Sequence, residues 1–346
     1  MRGRRRGIGR TALAILCAAV LLRGGASHAS AGPQATAGAE VSGAIETAQR
    51  HFRVGGYTEA IKSLQSAAAQ NPSNGEVYYW LGRSYYELRD YDSAVSQLTR
   101  AAGLDARNSD YHLWLGRAYG GQADREHSFF LARKVKKEFQ QAVSLDPGNI
   151  AARRDLEEFC LEAPWIVGGN KDEALQQVNA VAAMDPIEGG LARAVYYRQG
   201  TKRLDQAENE YRQVLAAKPG RVEPYFEAAD FFRSRGNAAE IEAAIQGAAQ
   251  VNPNDARLAF HRGVAGVVAN TNLASAERDL KSYLAGTPER SDWPSHAAGR
   301  EWLGRLYEAQ GKRAEAAEQY RAALQLEPQR RETQARLDRL VGKTGP

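Results

Sequence analysis

Cysteine is almost absent from this chain of 346 residues. It occurs only at positions 17 and 160, so a disulfide framework, a structural zinc site or an iron–sulfur site built from this chain alone is excluded. Cys160 lies among apolar residues, and we expect it to be a small core residue rather than a nucleophile. Excess charge of one sign is also missing, because without the six arginines of residues 1–31 the chain has 40 basic and 41 acidic residues. This balance gives no reason to expect nucleic acid or anionic lipid as a partner.

Catalytic motifs are missing as well. The five histidines after residue 31 are scattered, and none has a second histidine or a carboxylate at the spacing of a metal site. There is no nucleophile elbow, Walker loop or glycine-rich dinucleotide loop. Glu157 and Glu158 are adjacent on a predicted helix, so their side chains diverge by about 100° and cannot form an acid–base pair. We therefore expect no enzyme activity, no metal and no cofactor.

Long apolar runs are absent, and the one short run lies near the N-terminus. A basic stretch over residues 1–10 precedes twelve uncharged, mostly apolar residues at 11–22. As a helix this run rises only about 18 Å, too little for a hydrocarbon core about 30 Å thick. Cleavage after Ala31 or Ala29 fits the small-residue pattern of a signal peptidase site. We interpret residues 1–31 as a cleaved signal peptide, or alternatively a short uncleaved anchor, and expect a periplasmic or secreted protein with no transmembrane segment in the mature chain.

Proline marks a regular period in the rest of the chain. The prolines at positions 72, 147, 186, 219, 253, 288 and 328 each follow an apolar-periodic segment, and Ala106 takes the corresponding place in the one unit without a proline. Proline cannot continue a helix, so each one separates two helical units. A period near 34 residues predicts a solenoid, in which each unit buries its apolar face against its neighbours.

Two short signatures recur within these units. The pattern Leu-Gly-x-x-Tyr begins at Leu81, Leu115 and Leu303, and a small–large–small pattern begins at Ala94 and Ala316, among other places. On these residues, each unit resembles a tetratricopeptide repeat. The resemblance implies an all-α, right-handed α-solenoid of about eight helix–turn–helix units with a C-terminal capping helix. Small residues let helix backbones approach, so close helix crossings are expected at three glycines: Gly82, Gly116 and Gly304.

The chain divides accordingly into four regions. Residues 32–40 are rich in alanine, glycine and proline and are predicted to be a disordered linker after the signal peptide. Residues 41–328 form the predicted solenoid, and the polar outer face of residues 331–346 is typical of a capping helix and tail. The eight predicted units span residues 41–74, 75–108, 109–149, 150–188, 189–221, 222–255, 256–290 and 297–330.

Three units are longer than the period requires. The extra residues lie at 120–130, 164–170 and 289–296. They predict either lengthened turns packed on their own solenoid or ridges that contact a partner. Trp165 is the best candidate for a ridge contact, because a tryptophan in a turn buries a large area wherever it docks.

The resemblance implies a function in binding. In the family, the concave groove lined by the first helix of each unit holds a peptide or protein segment. We expect a non-enzymatic protein–protein interaction scaffold of the cell envelope, with a protein or peptide partner and no nucleic acid. The alternative is a structural subunit of an envelope machine for secretion, outer-membrane assembly or polysaccharide export. In either case we expect a monomer or a member of a hetero-complex.

The repeat register places arginines and aromatic residues on the concave side. Guanidinium groups bind carboxylates and aromatic rings supply apolar area, so this row suits an extended segment that carries carboxylates. In the alternative, the arginines pair with neighbouring acids such as Glu76, Glu87, Asp110 or Glu158 and only keep the groove soluble. The predicted groove residues are Tyr79, Arg83, Tyr86, Arg117, Arg154, Arg193, Tyr197, Phe226 and Arg305.

Overall fold

The computed structural model describes residues 33–342, which form seventeen α-helices and contain no β-strand. Sixteen of the helices follow one another as eight helix–turn–helix pairs, and α17 closes the C-terminal end. The predicted α-solenoid with a capping helix is therefore confirmed. The bounds are α1 Pro33–Arg53, α2 Tyr57–Gln70, α3 Gly75–Glu87, α4 Tyr91–Leu104, α5 Ser109–Glu126, α6 Phe129–Leu145, α7 Ile150–Glu162, α8 Lys171–Met184, α9 Pro186–Val195, α10 Leu204–Ala216, α11 Glu223–Ser234, α12 Ala238–Val251, α13 Arg257–Ala269, α14 Leu273–Gly286, α15 His296–Ala309, α16 Arg313–Leu326 and α17 Arg331–Val341.

The N-terminal predictions fall partly outside this range. The signal peptide, residues 1–31, and the last residues of the tail, 343–346, lie outside the described residues. Helix α1 begins at Pro33, so the structure corrects the prediction of a disordered linker for residues 33–40. Proline is favoured at the first helical position, and the alanines that follow are the strongest helix formers. None of the helices within residues 33–342 is long and apolar enough to cross a lipid bilayer.

Asparagine defines where several helices begin. The side chains of Asn74, Asn108, Asn149 and Asn170 accept hydrogen bonds from backbone N–H groups in the first turns of α3, α5, α7 and α8. Each such cap satisfies a donor that the helix leaves open. The caps fix the register of each helix and therefore the direction of its side chains.

The signature glycines lie at close helix crossings, as predicted. A Cβ atom added at Gly82 would lie 2.4 Å from the Leu98 side chain on the paired helix. A Cβ atom added at Gly116 would lie 2.5 Å from the Phe139 side chain, and one added at Gly304 would lie 2.4 Å from the Tyr320 side chain. In each unit the large residue of the second helix occupies the space that the glycine leaves open.

The packing order gives the solenoid its curvature. From α1 through α15, the odd-numbered helices of successive units pack against one another. Within residues 33–342, successive even-numbered helices do not pack as extensively. The first helices are therefore closer together than the second helices. They form the inner wall of the curve, which we call the inner surface.

The two ends of the solenoid meet. The insertion after α14 reaches the first two units, where the Tyr57 hydroxyl donates to the carbonyl oxygen of Glu289 at 3.0 Å. The backbone N–H and the hydroxyl of Ser291 donate to the carboxylate of Glu87 at 2.8 and 2.9 Å. Arg89 bridges to Glu327 at 3.1 Å. The third overlong segment thus packs on the opposite end of the chain, and the solenoid closes into a ring.

Candidate functional site

Three adjoining cavities follow the inner surface. The N-terminal cavity, of about 770 Å³, lies between α5, α6 and α7. It shares Arg117 with a central cavity of about 650 Å³, and the central cavity shares Glu227 with a C-terminal cavity of about 640 Å³. Most of the residues that line the central and C-terminal cavities come from first helices. Because they share lining residues, the cavities form one path along the inner surface.

Arg83 lies near the start of this path, inside a cage of aromatic rings. Its guanidinium carbon is 4.6 Å from the ring centroid of Trp80 and 4.2 Å from that of Trp114. Phe52 and Tyr79 complete the cage at 4.8 and 5.5 Å. Arg83 forms no ion pair with any residue in 33–342, and its Nε has no hydrogen-bond partner there. Its charge is thus stabilised by ring faces rather than by an acid.

The predicted tyrosines support this cage. Tyr79 accepts a hydrogen bond from Arg83 at 3.4 Å, and its ring packs on Tyr111 at 5.2 Å. Tyr86 packs edge-on against Trp114 at 5.6 Å and lines the N-terminal cavity. Burial raises the pKa of Tyr86 to about 12, so its hydroxyl stays protonated at neutral pH. Both tyrosines contribute neutral, partly buried surface beside the Arg83 charge.

Arg117 and Arg154 are neutralised by acids. Arg117 makes a two-pronged pair with Asp155 at 2.5 and 3.2 Å and lies over Trp114. Arg154 is surrounded by carboxylates, with Glu188 at 3.1 Å and Glu227 at 3.2 Å. These acids differ from Glu76, Glu87, Asp110 and Glu158, which the sequence suggested as partners.

Glu157 is the third acid beside Arg154, and sequence reasoning missed its importance. Its side chain is fully buried, and neither carboxylate oxygen has a hydrogen-bond partner within the described residues. The Arg154 Nε is 3.6 Å away. Burial raises the pKa of Glu157 to about 8, although the neighbouring arginine acts in the opposite direction. The central cavity therefore contains a carboxyl group that is largely protonated at neutral pH.

Arg193 and Tyr197 do not reach the cavities. Arg193 pairs with Glu210 on α10 at 2.9 Å, and Tyr197 lies in a π-helical turn that packs on the core. Val195 and Arg198 line the central cavity instead. The predicted groove positions Arg193 and Tyr197 therefore do not coincide with the three cavities.

Phe226 and Arg305 lie in the C-terminal cavity. Phe226 is buried and stacks on His261 at 4.6 Å, and burial lowers the pKa of that histidine to about 4. Arg305 lies over Trp302 at 4.4 Å and pairs with Glu301 at 2.6 Å. This arginine is therefore also neutralised, in a cavity whose lining combines charged and aromatic side chains.

Glu301 fastens the capping helix to this cavity. It accepts hydrogen bonds from Thr333 at 2.6 Å and from Arg330 at 2.8 Å. Burial opposes its charge, but these donors outweigh that effect and lower the pKa of Glu301. The cavity wall and the end of the solenoid are thus held by one ionised carboxylate.

A repeated tetrapeptide could have revealed this arrangement. Trp-Leu-Gly-Arg begins at Trp80, Trp114 and Trp302, and in all three copies the arginine lies over its own tryptophan at 4.4 to 4.6 Å. Residues three apart on a helix are neighbours on its surface. The tetrapeptide thus combines a close helix crossing with a stacked cation on the inner surface.

Trp165 lies apart from the cavities. It begins a short 3₁₀ turn, Trp165–Val167, between α7 and α8, and 85% of its surface is exposed. The structure does not bring it together with the groove residues.

Family models support tetratricopeptide repeats in part of the chain. One model, described as tetratricopeptide repeat, matches residues 45–109 and 81–122, and a second with the same description matches residues 297–330. These ranges cover the first units and the last unit. No curated protein matches the chain by sequence.

Solved structures of tetratricopeptide-repeat proteins are similar to this chain at low identity. A tetratricopeptide repeat protein from Parabacteroides merdae is 13% identical, with 88% of this chain and 99% of that chain covered and a TM-score of 0.48. A thermophilic tetratricopeptide-repeat protein from Thermus thermophilus is 16% identical, with 65% and 98% covered and a TM-score of 0.45. YrrB, described as having an unusual peptide-binding site, is 18% identical, with 63% and 89% covered and a TM-score of 0.34.

Proposed function

We propose that this chain, which carries tetratricopeptide repeats, is a non-enzymatic scaffold that binds an extended protein segment along its inner surface. Tetratricopeptide repeats generally mediate protein–protein interaction. The observation that carries the proposal is Arg83, a caged guanidinium on the inner surface that has no acid partner among residues 33–342. Such a group is preorganised to bind a carboxylate of a partner, because its side chain is already ordered.

Beyond Arg83, the arginines of the inner surface are paired with acids. Arg117, Arg154 and Arg305 each pair with acids, so the path beyond Arg83 presents both positive and negative side chains. A segment bound there would meet donors and acceptors along its length. We therefore propose that Arg83 anchors one acidic residue of the partner and that the cavities hold the residues that follow.

We further propose that the scaffold acts in the cell envelope. The basic, apolar and small-residue pattern of residues 1–31 supports export. Protein purified from the source cell should then begin near Ser30 or Gly32 when its N-terminus is sequenced. An intact Met1 on cytoplasmic protein would contradict export.

The variant Arg83→Gln tests the binding proposal. Immobilised wild-type protein should capture a partner from an envelope extract, and mass spectrometry of the captured fraction identifies it. Arg83→Gln should reduce the recovery of that partner about tenfold, because a charge-assisted hydrogen bond contributes about 1.5–3 kcal/mol. Added salt should weaken wild-type capture for the same reason.

The control is Arg107→Gln, which removes the same charge from an exposed position in the turn between α4 and α5. It should capture as well as the wild type, and circular dichroism should show native helix content in both variants. Undiminished capture by Arg83→Gln would reject the anchoring role of this arginine.

A further inference from the structure

An unusual apolar surface lies beside the N-terminal cavity, which Phe129 also lines. Phe129 and Phe130 are 65% and 68% exposed at the start of α6, and Trp165 and Ile166 are 85% and 50% exposed in the 3₁₀ turn after α7. The two segments touch, because Arg133 donates a hydrogen bond to the carbonyl oxygen of Ile166 at 3.1 Å. We call these four side chains the aromatic tip. They belong to the overlong segments 120–130 and 164–170.

Basic side chains share the exposed face of α6 with the aromatic tip. Phe129, Phe130, Arg133, Lys134 and Lys137 lie within about 140° of one another around the helix axis. The buried face opposite is formed by Leu131, Val135, Phe139 and Ala142. Hence one side of α6 packs on the solenoid, and the other presents aromatic rings followed by positive charge.

These basic groups are available to a partner. Lys134 lies 4.9 Å from the ring centroids of Phe130 and Tyr119, so it shares their surface without an ion pair to a described residue. Of the nearby acids, Glu126 is already paired with Arg125 at 3.0 Å. Lys136 is already paired with Glu173 at 2.6 Å. The exposed face therefore has an excess of positive charge beside its apolar side chains.

We propose that the aromatic tip and the basic face of α6 dock on the surface of an anionic lipid bilayer. Tryptophan and phenylalanine insert at the membrane–water interface, while lysine and arginine attract anionic head groups. A protein partner fits less well, because lysine is depleted at the centres of protein interfaces. No helix in residues 33–342 can span a bilayer, so the contact is interfacial. Phe130, Trp165 and Ile166 line none of the three cavities, so the contact does not require the groove residues.

Vesicle binding tests this proposal. The chain from Gly32 onward should sediment with vesicles of phosphatidylcholine and phosphatidylglycerol, and much less with phosphatidylcholine alone. The double variant Phe130→Ser with Trp165→Ser should lose at least about tenfold in affinity, because two aromatic side chains no longer leave water. Lys134→Gln with Lys137→Gln should lose about fivefold per charge on the anionic vesicles only.

Val54→Ser is the matched control. Val54 is 70% exposed in the turn between α1 and α2, distant in sequence from the aromatic tip, so this variant should bind vesicles as the wild type does. Absence of wild-type binding to anionic vesicles would overturn the proposal, as would unchanged binding by the aromatic variant. A stable dimer that Trp165→Ser dissociates, without vesicle binding, would assign the tip to a second copy of the chain instead.

Discussion

Glu157 is the residue at which the repeat pattern is broken most sharply. By register it takes the place of Gly82, and Val178 takes the place of Leu98 on the facing helix. The glutamate side chain is fully buried beside Arg154. Sequence alone showed the residue but not the space around it, because that space depends on which residue faces it across the helix pair.

The raised pKa of Glu157 predicts a pH-dependent stability. The folded carboxyl keeps its proton up to about pH 8, whereas the unfolded chain releases it near the ordinary value of 4.5. The folded state therefore binds more protons in this window, and the free energy of unfolding should fall as the pH rises from about 4.5 to about 8. The slope from this one group is at most about 1.4 kcal/mol per pH unit. Glu157→Gln should remove it.

Urea denaturation at several pH values measures this effect. Glu318→Gln changes an exposed glutamate on α16 and should keep the wild-type slope. If Glu157→Gln also retains that slope, the carboxyl is not held protonated in the folded chain.

At the scale of helices, glycine crossings hold each unit together. Gly82 has no room for a methyl group, since a Cβ would lie 2.4 Å from Leu98, whereas Gly103 on α4 has no atom within 4 Å of that position. Gly82→Ala should therefore overpack and destabilise the chain by about 1–3 kcal/mol. Gly103→Ala should stabilise it by up to about 1 kcal/mol, because alanine is the better helix former. Thermal unfolding compares the two.

Opposite shifts of the melting temperature are the expected result. Equal shifts in the same direction would show that the crossing at Gly82 is not tightly packed.

The helices themselves were predictable from local sequence signals, but the contact between the two ends of the chain was not. Proline spacing and the Leu-Gly pairs predicted the eight units, and the glycine crossings followed from residue size. The insertion at 289–296 was visible only as extra length. Its contacts to Tyr57 and Glu87 join residues more than 200 positions apart, and no local pattern encodes such a pairing.

Prediction of the site also succeeded where local sequence signals were present and failed where contacts between distant residues decide. In units with a Leu-Gly pair, the register led to Arg83, Arg117 and Arg305 on the inner surface. In the fifth unit, where the pair is missing, Arg193 was assigned to a face that the structure turns away from the cavities. Which acids neutralise which arginines could not be predicted, because each pair depends on the distance between neighbouring units.

At the scale of the whole molecule, the closed ring determines how a partner reaches the inner surface. The insertion after α14 joins the two ends through Ser291 and Glu87, and Arg89 adds an ion pair to Glu327. A ring of fixed curvature keeps the three cavities in line, which lowers the entropy cost of binding an extended segment. The inner surface is therefore the part of the molecule that should contact the partner, and the outer second helices should not.

Site-specific photocrosslinking tests this claim most directly. Benzoylphenylalanine placed at Ala151, an exposed residue of the central cavity, should crosslink to a protein partner in an envelope extract after irradiation. The same group at Thr99, exposed on the second helix α4, should give no such product. A partner that crosslinks at Thr99 and not at Ala151 would contradict binding along the inner surface.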